Sequence, residues 1–204
     1  MSNLNQPTRA TNFVHAVLAG AIIFAVAAVC ESATPPSLAV SADNLCGTSL
    51  PEDIRHVLAA RFPGWAIQTS TTLSPSAEQR WRSEKPTTCP GVARGYFESD
   101  SKSSVAVLIV RADNQESSAK LLLFKGANGE YSADFKVLED AQTGANNLFI
   151  RAAPARRFFD KQAVERFGVR APETVLLFDA GKDEYETDIY FWTGSEYRHE
   201  PVDY

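Results

Sequence analysis

One stretch near the C-terminus carries the residue types that hydrolytic chemistry uses: Asp183, Glu184, Glu186 and Asp188, followed by Tyr190 and Trp192. Side chains alternate along an extended strand, so Glu184, Glu186 and Asp188 share one face with Tyr190 and Trp192. Adjacent carboxylates on such a face stand roughly 6–7 Å apart, a separation that two-carboxylate glycoside hydrolysis can use. Aromatic rings continuing the face would suit a sugar-binding groove. The competing expectation is a solvated outer face of an edge strand, where charge discourages aggregation. Outside the N-terminal region the histidines are His56 and His199. His199 could pair with Glu200 or Glu196 for acid–base work. His56 falls on the solvent side of its helix. No G-x-S-x-G surrounds any serine, and there is no P-loop or dinucleotide fingerprint. We therefore expect no catalytic set, with Glu184, Glu186 and Asp188 as the candidates for the alternative.

A basic group, Arg151, Arg156, Arg157, Lys161, Arg166 and Arg170, precedes the acidic strand. It could meet anionic headgroups, cell-wall polymers or the acidic strand itself. The chain as a whole is mildly acidic, with a net charge of −5, which gives no electrostatic reason to expect nucleic-acid binding. Its 44% hydrophobic and 22% charged residues are those of an ordinary globular protein.

The N-terminus sets the compartment. Residues 13–30, "FVHAVLAGAIIFAVAAVC", form an apolar run broken by His15 and preceded by Arg9. Positive, then apolar, then small and polar is the order of an export signal. Cleavage near "AVSA" is the first expectation. An uncleaved anchor, with membrane contact through residues 13–30, is the second, and lipidation at Cys30 is the third. Export leaves Cys46 and Cys89 as an even pair in an oxidising compartment, where such pairs form disulfides. The bond would close a loop of about 43 residues and stabilise by roughly 3–4 kcal/mol. No Cys/His cluster has zinc spacing.

The elements that must position these residues follow from periodicity. Residues 31–44, rich in Ser, Ala and Pro, read as a linker. "SLPEDIRHVLAARFPGW" reads as a helix, with Ser49 and Glu52 as a capping box and Ile54, Val57, Leu58 and Phe62 on one face. Trp65–Thr71 is a short strand, and Ser74-Pro75 starts a second helix. Val105–Val110 is apolar throughout, so both of its faces must be covered. Asn128-Gly129 is a hairpin signal, followed by the alternation Tyr131, Ala133, Phe135, Val137. Asp160 and Gly168 bracket a short helix. "ETVLLFDA" is a buried strand, and the C-terminus makes two strands around a Thr193–Glu196 turn. The expectation is an α+β fold: a largely antiparallel sheet covered by one or two helices near the N-terminus.

The segment "RGYFESDSKSSVAVLIV" resembles one degenerate unit of the FG-GAP/VCBS type, in which acidic residues at alternate places precede a strand. Tyr96 stands at the first acidic place, Glu98 at the second, Asp100 at the third and Ser104 at the last. Ser99 and Ser101 replace the turn glycines. Calcium takes six to eight oxygens at about 2.3–2.6 Å, so the resemblance offers Glu98, Asp100 and Ser104 as a weak set, and no metal or other cofactor is expected. Small exported bacterial proteins with a single such segment, a preceding "CPG" and a final hairpin like "IYFWTGSEY" are similar, and the resemblance implies no assigned reaction. "PEDIRHVLAARFPGW" is more faintly similar to the opening helix of PepSY-like domains. The expected organisation is a signal peptide or anchor over 1–30, a linker over 31–44 and one α+β domain over 45–204. The expected role is an exported, non-catalytic module, periplasmic or anchored facing the periplasm, that binds a protein or envelope polymer. A glycan hydrolase using the strand carboxylates is the alternative.

Overall fold

The computed structural model describes residues 46, 48–84, 89–113, 116–127, 130–181 and 186–203. The expected leader and linker, and Glu184, lie outside them. Among the described residues the helices used below are α1 (Glu52–Arg61), α2 (Pro75–Glu84) and α3 (Lys161–Phe167). Nine strands are β1 (Ala66–Ile67), β2 (Val92–Ser99), β3 (Lys102–Asp113), β4 (Glu116–Ala127), β5 (Glu130–Ala141), β6 (Leu148–Pro154), β7 (Glu173–Asp179), β8 (Glu186–Trp192) and β9 (Tyr197–Asp203). Among the described residues no helix is long and apolar enough to cross a membrane.

The fold is α+β and its strands pair antiparallel, in two sheets rather than one. The first sheet runs β3-β4-β5, with β1 and β2 both paired to the free edge of β3; the second is the meander β6-β7-β8-β9. The apolar run of β3 explains the layering. Val105, Val107 and Ile109 face Ile54 and Leu58 of α1. Ala106 and Leu108 face the second sheet, against Ile150, Val175 and Leu177. The outer face of the second sheet, Phe149, Phe178, Ile189 and Phe191, is covered by Ala77 and Trp81 of α2 and by Ala163 and Phe167 of α3. The layer order is helix, sheet, sheet, helices. Each fully buried side chain of this size stabilises by about 1.5–3 kcal/mol relative to exposure.

Local chemistry accounts for the details. β1 and β2 meet end to end at Leu108, whose carbonyl accepts from Gln68 N at 2.9 Å and whose N–H donates to Gly91 O at 2.8 Å. A Cβ at Gly91 would fall 2.5 Å from the Gln68 carbonyl oxygen, so only glycine fits there. Gln68 is buried, and its amide Nε2 donates to Ala145 O and Leu148 O, while its Oε1 accepts from Thr72 Oγ1. Every polar atom of that side chain is thereby used, which is what burial of an amide demands.

The N-cap of α1 is Pro51, not the expected Ser49, and it has no side-chain cap bond. The first turn is held instead by Asp53, which accepts from Ile54 N and, with its other oxygen, from Tyr131 N at 2.7 Å on β5. α3 forms as its sequence signals require: Asp160 Oδ1 accepts from Ala163 N at 2.8 Å, and Gly168 ends it at φ 70°. Cys46 and Cys89 are disulfide-bonded, with Cα atoms 5.0 Å apart, so α1, β1 and α2 lie within the closed loop.

Candidate functional site

The segment that offers Glu98, Asp100 and Ser104 as a weak calcium set is mostly strand. β2 continues to Ser99 and β3 begins at Lys102, leaving Asp100 and Ser101 as a two-residue turn. Between Gly95 and Ser99 the β2–β3 register shifts. A bulge of this kind leaves backbone groups off the ladder, and the second sheet satisfies them. Tyr96 N donates to Glu173 Oε2 at 2.7 Å, and Phe97 O accepts from Tyr197 Oη at 3.1 Å. Phe97 itself is fully buried between the sheets. The bulge thus ties the first sheet to the second. Glu98 is engaged by Lys125, whose Nζ stands 2.9 Å from Oε1. Asp100 is exposed, and Ser104 is buried in β3 opposite Gly95. Among the described residues no three His, Cys, Asp or Glu side chains gather as a metal-ligand set.

Beside this turn lies an open cleft of about 670 Å³, within the range of small-ligand sites. Glu98 and Asp100 line it together with Arg156, Arg170, Val164 and Pro172. The basic group of the sequence is thus split by the fold. Arg151 is half-buried on the outer face of the second sheet and pairs with Glu84 of α2. Arg166 lies over the ring of Phe167, 4.9 Å from its centroid. Arg156 and Arg170 reach the cleft, and neither has a carboxylate partner among the described residues.

The acidic face of β8 is not the outside of an edge strand. β8 lies between β7 and β9, and Asp188, Tyr190 and Trp192 face the first sheet. Glu186 is exposed, Asp188 half-buried and Tyr190 buried. Tyr190 Oη donates to Glu139 Oε2 of β5 at 2.6 Å. Burial, then the Glu139 carboxylate, hold the Tyr190 phenol neutral far above its ordinary range. Tyr197 is raised likewise by burial and by Glu98. His199 stacks on Tyr190 with centroids 5.5 Å apart, and its Nδ1 stands 3.6 Å from Asp188 Oδ1, so its partner is neither Glu196 nor Glu200. That distance exceeds a hydrogen bond; the pair is electrostatic and depends on imidazole protonation. His56 is exposed on α1, 3.8 Å from Glu52.

The hairpin end of the same face, next to the cleft, carries Trp192 opposite Tyr197, with centroids 5.0 Å apart and planes tilted by 50°. Lys125 and Lys136 lie over the indole at 5.5 and 5.9 Å, and Lys136 also lies 5.4 Å from the Tyr197 centroid. Sequence reading missed Lys125, Lys136 and Glu139. For Glu139 the cause is a bulge: β5 is irregular opposite Leu121 and Leu122, after Val137, and that irregularity brings both Leu138 and Glu139 to the inter-sheet side. Comparison with protein-family models, curated proteins and solved structures finds no match.

Proposed function

We propose that this chain is an exported, non-catalytic module that holds a protein or polymer of the cell envelope in the cleft beside the β2–β3 turn. The observation that carries the reading is the pair Arg156 and Arg170: two arginines that line an open cleft together with Glu98 and Asp100 and have no ion-pair partner among the described residues. A guanidinium presents a planar fork of donors to carboxylate or phosphate and is lightly hydrated, which suits it to capture an anionic partner. The apolar N-terminal run supports export to the periplasm, with or without a membrane tether. The Cys46–Cys89 bond fits an oxidising compartment. Retention of the purified protein on isolated envelope material tests the reading. The double variant Arg156→Gln/Arg170→Gln should lose at least about tenfold in retention, since bonds to charged groups are worth roughly 1.5–3 kcal/mol each. Undiminished retention of that variant removes the cleft as the binding site.

The hydrolase alternative draws on one observation, the approach of Asp188 to His199 beside the Tyr190–Glu139 pair. It requires release of soluble fragments from envelope glycan by the wild-type protein and loss of that release in Asp188→Asn.

A further inference from the structure

We propose that the outer edge of β5 pairs with the same edge of a second copy of this chain, antiparallel about a twofold axis at Phe135, on a surface separate from the cleft. β5 ends the first sheet and is paired with β4 alone among the described residues. The edges of the second sheet are less open. At β6 the Ile150 N–H already donates to Pro90 O at 2.8 Å. β9 carries Pro201, which has no N–H to give a ladder. β5 is 12 residues long and contains no proline. Its Asp134 N–H is off the β4 ladder and donates to Ser132 Oγ at 3.0 Å.

The residues of that edge complement themselves. Antiparallel pairing about Phe135 sets Asp134 of each copy opposite Lys136 of the other, and the twofold axis repeats the contact. Opposite charges facing across strands attract, and like charges repel. An edge charged only to prevent association would repel its own copy; this one attracts it. Both side chains are exposed, and neither has an ion-pair partner among the described residues, Lys136 lying over the Trp192 and Tyr197 rings. On the α1 side of the sheet the same register sets Phe135 against Phe135 and Val137 against Ala133. Val137 is 46% exposed, and Phe135 is half-buried beside Phe62, so the pairing removes apolar surface from water. The neighbouring registers lose the match: centring on Lys136 sets lysine against lysine, and centring on Val137 sets Asp134 against Asp140. Register shifts against β4 flank Phe135–Val137, which confines the match to a short stretch and makes the dimer a weak one.

Sedimentation velocity of the purified protein between about 1 and 500 µM, the range of a weak interface, tests this. Expected is a monomer–dimer equilibrium that weakens at least about tenfold in Asp134→Lys and in Lys136→Asp, each of which sets like charges opposite one another. Equimolar mixing of the two variants should restore the dimer, because two lysines of one copy then face two aspartates of the other. Both positions are exposed, so the substitutions leave the core untouched, and unchanged melting by circular dichroism verifies that. A protein that stays monomeric across the range overturns the proposal. So does association that neither variant weakens, as contact through residues 13–30 would be, and so does a mixture of the two variants that stays monomeric.

Discussion

Breaking the Cys46–Cys89 bond should cost about 4 kcal/mol, a large fraction of the roughly 5–15 kcal/mol that holds a typical domain folded. The cysteines are separated by 43 positions, and the chain-entropy relation for a loop of that size gives about 4 kcal/mol at 25 °C. The loop contains α1, which covers the first sheet, and α2, which covers the second, so the lost constraint acts on both outer layers. For a protein of this length each kcal/mol moves Tm by about 2–4 °C, so the expected fall is about 8–16 °C. Circular dichroism melting of the oxidised protein against the same protein in reductant measures it. The variant Cys46→Ala/Cys89→Ala provides a second reading without thiols; both side chains are buried, so a small cavity cost adds to its shift. A fall of less than about 3 °C in both comparisons would refute the loop-closure reasoning.

The raised phenols of Tyr190 and Tyr197 predict an alkaline limit. Their folded-state ionisation lies above the ordinary value of about 10, so the stabilisation they contribute is complete below that pH and is lost as pH rises above it. In a spectrophotometric titration of the folded protein, Tyr190 and Tyr197 should ionise only on unfolding; a single transition of all the tyrosines near pH 10 would contradict this. Calcium at millimolar concentration, compared with chelator, should move Tm by less than about 1 °C, because Lys125 holds Glu98 and Ser104 is closed into β3. A rise of several degrees would show that the β2–β3 turn assembles an ion site.

Much of the fold is legible because local signals agree with the tertiary structure. The unbroken apolar run of β3 announces two covered faces. Asp160 and Gly168 mark α3 at both ends, and the β8–β9 turn falls at 193–196 as its residues imply. Where sequence reading stops is at long-range pairing. Nothing local to Trp65–Thr71 shows that pairing ends after Ile67, because the limit is set by Gly91 closing against Gln68. The alternation of Tyr96, Glu98 and Asp100 looks like ligand spacing, and nothing in it shows that the segment also forms a bulge whose N–H and C=O partners, Glu173 and Tyr197, lie far along the chain. The doubling of the sheet is hidden for the same reason. An inward-facing Tyr190 and an outward-facing one have the same neighbours in sequence, and only its bond to Glu139 of β5 distinguishes them. In the candidate site the arginines are visible as a group, but not which of them reach the cleft: Arg156 and Arg170 line it, while Arg151 pairs with Glu84 on the outer face of the second sheet.

The placement of α2 has a consequence for synthesis. This helix is made before β2, yet its buried Trp81 packs against Phe149, Phe178, Ile189 and Phe191, from strands made last. A chain emerging N-terminus first, from a ribosome or through a translocation pore, holds that indole without its native surroundings until β8 is out. No N-terminal fragment ending before β6 can complete its own packing, and a premature stop anywhere in the meander leaves a sticky, unfinished product for proteases and chaperones to sort.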